Sequence, residues 1–336
     1  MRQASFLILA AILFLGCGSD PSSQPRPNGA GTNGGGSGEA KKLRIAVIPK
    51  GTSHQFWKSV KAGAEQAAKE IGNVEIVWQG PATESDTNQQ IDIVQSMVVQ
   101  RVDGIVLAPN HSESLLGAVQ DANAKQIPVV IFDSGLKEGA ELVSYVATDN
   151  ENGGVLAAKR LADVLGNKGN VILMRYRAGS ESTEQREEGF LKEIAKHPNI
   201  KVLSSDQYAE QSTETAKAKA EQLLLQFKDE VDGLFAVCEP NANGALLALD
   251  NPDYAKVKFV GFDASEELIA GMKSDKVHGI VLQDPERMGY LSVKVLVDHL
   301  NGKPVEKRIP TGEYVATPEN MDTPEIQKLL HPKQEE

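Results

Sequence analysis

From Leu43 onward, short continuous apolar runs alternate with longer stretches in which apolar side chains recur every three or four residues. Arg44–Ile48 has the unbroken hydrophobicity of a strand covered on both faces. Phe56, Val60, Ala64, Ala67 and Ile71 then step at helical spacing and predict a packed helix. Val74–Trp78 reads as the next strand, and Ile91, Val94 and Val98 line the next helix. Gly104–Ala108, Val129–Phe132 and Val143–Val146 continue the strand series. Strand–helix–strand alternation of this kind predicts an α/β body with a mainly parallel sheet and helices on both faces.

The second half of the chain repeats the order of the first. Val102-Asp-Gly-Ile105 returns as Val231-Asp-Gly-Leu234, and Ile131-Phe-Asp-Ser134 returns at nearly the same offset as Gly261-Phe-Asp-Ala264. Val171–Met174 and Lys201–Ser204 occupy the places of the first two strands. Two ordered matches at one spacing predict two similar doubly wound parallel-sheet lobes. After them come a strand-like Gly279–Leu282, a helix over Pro285–Leu300 and an extended segment over Ile309–Val315. This added unit predicts that the chain returns to the first lobe and finishes on the second, through a three-segment hinge near Thr148, Asp284 and Thr311. The expected lobes are residues 43–148 plus 284–311 and residues 149–283 plus 312–330. Several parallel connections restrict such lobes to opening and closing about a hinge.

The N-terminus carries a different message. Arg2, the apolar run Phe6–Leu15 and small Gly16 before Cys17 form the pattern of an export signal over residues 1–16. Phe14-Leu15-Gly16-Cys17 resembles the bacterial lipobox, which implies a lipidated Cys17. Residues 17–41 are rich in Gly and Pro and almost free of apolar side chains, so a flexible linker is expected there. The chain would then meet a membrane only through its lipid, in the periplasm or cell envelope.

Composition narrows the function. Lys and Arg number 35 against 46 Asp and Glu, a formal charge of −11 that opposes a phosphate backbone, so no nucleic-acid partner is expected. Two cysteines, Cys17 and Cys238, exclude a disulfide framework. The six histidines lack metal-ligand spacing, and no metal or cofactor is expected. The sequence has no Gly-x-Ser-x-Gly elbow, His-Glu-x-x-His pair, Walker loop or dinucleotide fingerprint opening a helix, which argues against an enzyme.

In open parallel sheets, ligands bind beyond the carboxyl ends of the strands. Those ends supply Lys50, His54, Phe56, Trp57, Asn110, Asp133, Ser134, Asp149, Cys238, Glu239, Asn241, Asn243, Asp263 and Gln283, with Arg186 on the helix that follows the first strand of the second lobe. Carboxylates, amides, a guanidinium and two aromatic rings suit a polyol, whose hydroxyls need charged partners and whose C–H face needs an apolar cover. Other readings exist for each group. Asp133 and Asp263 could cap helices, Phe56 or Trp57 could be core, Arg186 could be a solvated helix charge, and Lys50 or Glu239 could form surface ion pairs. Cys238 reads most simply as a small buried residue.

At these residues the chain resembles the type I periplasmic sugar-binding proteins, the ribose-binding cluster in particular, over about residues 43–322. The markers are Ser53–Trp57, Val102–Ile105, Phe132-Asp133, Arg186-Glu-Glu-Gly-Phe190, Gly261-Phe-Asp263 and Gln283. The resemblance implies that Phe56 and Trp57 sandwich a sugar while Asp133, Arg186, Asp263 and Gln283 bind its hydroxyls. Departures from the ribose pattern fall at Ser134, where the family has Arg, at Cys238-Glu239, where it has Asn-Asp, and at His54, where it has Asn. Ile45–Lys50, Asp133-Ser134 and Pro240–Asn243 are closer to binders of autoinducer-2 and rhamnose-type ligands. Lys50, His54, Ser134, Glu239 and Asn241 therefore join the candidate contacts. The resemblance implies a monomeric receptor that closes on a monosaccharide or related polyol and delivers it to a membrane ABC permease. A sensory subunit presenting sugar or autoinducer-2 to a chemoreceptor or histidine kinase is the alternative; a carbohydrate-active enzyme using the paired carboxylates is a third.

Overall fold

The computed structural model describes residues 42–333. The export signal, Cys17 and the linker expected over 17–41 lie outside the described residues. The first sheet is laid down by β1 (Leu43–Ile48), α1 (Gln55–Ile71), β2 (Val74–Trp78), α2 (Thr87–Val99), β3 (Gly104–Leu107), α3 (Leu116–Ala124), β4 (Val129–Phe132) and β5 (Ser144–Ala147). The second follows with α4 (Asn150–Val164), β6 (Gly169–Met174), α5 (Glu181–Ile194), β7 (Ile200–Ser204), α6 (Thr213–Gln226), β8 (Gly233–Ala236), α7 (Glu239–Leu249), β9 (Lys258–Phe262), α8 (Glu266–Lys273) and β10 (Gly279–Leu282). The chain ends with α9 (Pro285–Leu300), β11 (Arg308–Pro310), β12 (Tyr314–Ala316) and α10 (Pro324–Leu330). Among the described residues no helix is long and apolar enough to cross a membrane.

The two sheets match strand for strand, in the orders β11-β5-β4-β3-β1-β2 and β12-β10-β9-β8-β6-β7. Double coverage explains the continuous apolar runs. Ile45 and Val47 of β1 face one core with α1 and α9, whereas Ala46 and Ile48 face another with α2 and α3. In the second lobe Ile172 and Met174 of β6 face one core, and Val171 and Leu173 face the other. The α/β architecture with two parallel-dominated sheets is the one the alternation predicts.

The chain passes between the sheets after β5, after β10 and between β11 and β12. The tail differs in detail from the single extended segment expected over Ile309–Val315. It breaks into two three-residue strands on different sheets, with Gly312 at φ +91 in the crossing. β11 runs parallel to β5 and ends at its carboxyl edge, with Pro310 beside Ala147. Entering the second sheet from that same edge, opposite Leu282, β12 can only run backwards, so its pairing with β10 is antiparallel.

Each lobe is braced by a pair of helices whose glycines face each other's backbone. A Cβ on Gly63 of α1 would stand 1.9 Å from the carbonyl oxygen of Glu286, and one on Gly289 of α9 would stand 2.0 Å from that of Val60. The second lobe repeats this reciprocity: Gly154 of α4 faces the Arg186 carbonyl oxygen, and Gly189 of α5 faces that of Glu151, each at 2.0 Å. The Gly in the Arg186–Phe190 motif is thus a packing requirement. Gly189→Ala should lower stability by roughly 2 kcal/mol, because overpacking against backbone outweighs alanine's helix advantage of about 1 kcal/mol. Gly117→Ala, where an added Cβ meets nothing within 4 Å, should be neutral or stabilising. Urea unfolding of both variants checks the contrast, and equal midpoints would remove the close-contact argument.

Candidate functional site

The equivalent strand ends after β4 and β9 make the same turn. Asp133 and Asp263 adopt φ values of 60° and 69°, in the left-handed region that few side chains other than Asp and Asn enter without penalty. Each backbone N–H is tied to the neighbouring strand, Asp133 to the Val146 carbonyl at 3.1 Å and Asp263 to that of Val281 at 2.8 Å. Neither residue is the N-cap of a helix; Ser265 caps α8.

Each aspartate is buried with a cation of its own lobe. Lys50, beyond the end of β1, lies 3.0 Å from Asp133 Oδ2 and donates to Ser182 Oγ at 2.9 Å and Ser180 Oγ at 3.4 Å. Asp133 Oδ2 nevertheless receives no well-directed hydrogen bond. Arg186 Nη1 lies 3.9 Å from Asp263 Oδ2, with its guanidinium 3.8 Å above the Phe262 ring. Its Nε donates to Asn150 Oδ1 at 2.9 Å and its Nη1 to the Val237 carbonyl at 3.0 Å. Gln283 in the second crossing donates to Asp263 Oδ1 at 2.7 Å and accepts from Thr148 in the first crossing at 2.7 Å. Burial raises the Asp263 carboxyl above its ordinary range, against the pull of Arg186 and Gln283.

The start of α1 supplies the aromatic wall. Phe56 and Trp57 meet edge to face at 4.8 Å, and Trp57 packs edge-on to Phe132 at 6.2 Å. Trp57 Nε1 donates to Glu84 Oε1 at 2.7 Å, and His54 Nδ1 lies 3.0 Å from the same oxygen. Burial pushes the His54 imidazolium down, but the Glu84 hydrogen bond and charge, with Glu239 and Asp263 behind, lift it to about 9. Burial likewise pushes Glu84 up, and His54, Lys50 and Tyr176 together hold it at about 2. The first turn of α1 has no acidic residue, and His54 at its N-cap makes no cap bond. Glu239 of the second lobe takes that place, accepting from the N–H groups of Phe56 at 3.2 Å and Gln55 at 3.4 Å. Burial raises the Glu239 carboxyl to about 7, against the opposing charge of His54 and those backbone donors.

These groups enclose a small cavity of about 370 Å³, counted to its open mouth. Lys50, His54, Phe56, Trp57, Asp133, Arg186, Glu239, Asp263 and Gln283 all line it. Ser134 and Asn241 stand outside the lining. Ser134 Oγ accepts from the Ser182 N–H at 3.1 Å, and Asn241 Nδ2 turns to the Glu210 carbonyl at 2.9 Å. Glu84, Tyr176, Ser182 and Thr183 line the cavity and were not singled out from the sequence. Glu84 follows β2 and Tyr176 follows β6, so the strand-end rule, applied to those two strands, reaches both.

Two lobes of one topology and a cleft lined from both can now be set beside known proteins. The periplasmic binding protein domain matches residues 45–304. The chain belongs to the periplasmic binding protein family. It is 30% identical over 314 residues to a ribose import binding protein of Bacillus subtilis, covering 92% of this chain and 97% of that one. It is also 30% identical to a xylitol-binding protein of Mycolicibacterium smegmatis, over 76% of this chain and 71% of the relative. The solved structure of an ABC transporter solute-binding protein from Agrobacterium vitis with bound D-fucose superposes with a TM-score of 0.82 at 34% identity, covering 85% of this chain and 99% of the other.

In this periplasmic binding protein the cleft charges impose a pH signature. His54 rises from 6.5 to about 9, so its contribution is complete below 6.5 and is lost as pH climbs through 9. Glu84 falls from 4.5 to about 2, so its contribution holds above 4.5 and is lost towards 2. Glu239, raised to about 7, adds a further loss as pH rises through neutrality. Thermal unfolding should therefore show a stability gap between wild type and His54→Gln that is widest near pH 6 and closes towards pH 10. A gap independent of pH would rule out the His54–Glu84 ion pair as its source.

Proposed function

We propose that this periplasmic binding protein encloses a monosaccharide or related polyol between its lobes and hands it to an ABC permease. The observation that carries this reading is the pair Asp133 and Asp263, held in equivalent left-handed turns and lining one cavity from opposite lobes. Their carboxylates accept hydroxyl hydrogens, Arg186 and Gln283 donate or bridge, and Phe56 with Trp57 covers the apolar face of the ring. Asp133 Oδ2, buried and without a directed hydrogen bond, is suited to a ligand hydroxyl. Lys50, His54 and Glu239 complete the wall, while Ser134 and Asn241 support it from behind. Closure removes water and joins contacts that neither lobe makes alone, so the ligand shifts the open–closed equilibrium by its extra affinity for the closed form.

The relatives differ in their cargo, ribose and xylitol in two named proteins and D-fucose in a solved one. This chain's His54 and Cys238-Glu239, which line the cavity, would then set its own choice. Membership of the family implies a periplasmic location; the proposal adds an anchor through lipidated Cys17, which intact-mass measurement of the mature protein tests.

Thermal-shift screening against pentoses, hexoses, deoxysugars, polyols and autoinducer-2 should pick out a stabilising ligand. For that ligand, Asp263→Ala should weaken calorimetric binding by about 2 kcal/mol or more, because Arg186 and Gln283 lose a buried partner. Trp57→Ala should also weaken it. Stoichiometric binding without turnover is expected, and unchanged affinity in both variants would defeat the site assignment.

A further inference from the structure

One buried carboxylate outside the pattern of strand-end aspartates gathers partners from both lobes. Glu84 lies between β2 and α2 with a side chain only 9% exposed. Its Oε1 takes Trp57 Nε1 and faces His54 Nδ1, both from the first lobe. Its Oε2 accepts from Tyr176 Oη of the second lobe at 2.5 Å, and Arg177, also of the second lobe, donates to its backbone carbonyl. The surroundings make room for it: a Cβ on Gly51 would come within 2.9 Å of Glu84 Cγ.

We propose that Glu84 is a positioning residue that docks the second lobe through Tyr176 and, with the same carboxylate, fixes the Trp57 ring over the cavity. Trp57 has one polar atom, and Glu84 holds it, so the ring is presented by its faces and edge alone. Tyr176 can reach Glu84 only when the lobes are together, since the two residues follow strands of different sheets, β6 and β2. Closing the cleft therefore completes the carboxylate's hydrogen bonding at the moment the aromatic wall is set. The field of His54 and Lys50 keeps Glu84 ionised through neutral pH, which strengthens both bonds. The expected effect on affinity rests on the sugar-binding reading; the docking itself does not.

The test uses Tyr176→Phe, which removes only the cross-cleft hydroxyl, and Glu84→Gln, which weakens both bonds. Both are made in a Trp78→Phe background, where Trp57 is the single tryptophan. Small-angle scattering of the ligand-free protein should show a larger mean radius in either variant than in the parent. Trp57 emission should change in Glu84→Gln, whereas in Tyr176→Phe it should return to the parent value at saturating ligand. Affinity for the sugar found by screening should fall roughly tenfold in Tyr176→Phe, about the effect of one charge-assisted bond, and further in Glu84→Gln. The double variant should lose less than the sum of the two, as expected for coupled groups. A residue that merely stabilises the fold would lower the melting temperature while leaving radius, emission and affinity at parental values, and that result overturns the proposal. Should no sugar bind the parent protein, the receptor reading falls, and the ligand-free radius and Trp57 emission still decide the role of Glu84.

Discussion

The cleft is built on the cost of burying charge. A carboxylate taken out of water must find a cation or several donors, and losing one partner of a buried pair costs far more than losing a surface contact. Here the ion pairs of the cavity stay within a lobe: Lys50 with Asp133 and His54 with Glu84 in the first, Arg186 with Asp263 in the second. Where a charged group of the cavity bonds across the cleft, its partner there is neutral. Lys50 meets two serine hydroxyls, Glu84 meets a tyrosine, and Glu239 meets backbone N–H groups. Water can replace neutral partners at modest cost, whereas it replaces a buried counter-ion poorly. The lobes can therefore separate without stranding a charge, and a ligand of moderate affinity can tip them closed.

Glu239 tests that rule. It is the cavity carboxylate without an ion pair among the described residues, and its compensation is the uncapped start of α1. The positive end of a helix offers about half a charge, enough to attract a carboxylate and too little to offset its full desolvation. Its ionisation near neutrality follows from that imbalance. The other three carboxylates have whole cations, although at Asp263 burial still outweighs Arg186 and Gln283.

How much of this was legible in the sequence depends on whether a feature is local. Strands buried on both faces announce themselves through unbroken runs such as Ile45–Ile48, and the repeated Phe-Asp at positions 132–133 and 262–263 marks equivalent strand ends. Those two signals were enough for the lobes and for the facing aspartates. The divided tail was harder to read, because three-residue strands are too short to carry a period and their crossing turns on a glycine at positive φ. Glu84 is marked only by its place after β2: its role is fixed by an indole, an imidazole and a phenol that converge from positions 54 to 176. Ser134 and Asn241 show the converse, since a strand-end position places a residue near the cleft without deciding which way its side chain turns.

The glycine contacts then connect hinge to site. α4 begins just after the first crossing and α9 just after the second, and each packs at backbone distance on the helix that carries its lobe's cavity groups. α9 rests on α1, which bears Phe56 and Trp57; α4 rests on α5, which bears Arg186. Backbone against backbone leaves no side chain to rearrange, so a rotation at either crossing moves the aromatic wall or the guanidinium as part of a rigid body. Side-chain packing at the same places would absorb part of that motion before it reached the ligand. The same geometry accounts for the matching glycines in the two lobes: a hinge of short crossings transmits motion faithfully only if the first helix beyond it is fixed to the helix that holds the cargo.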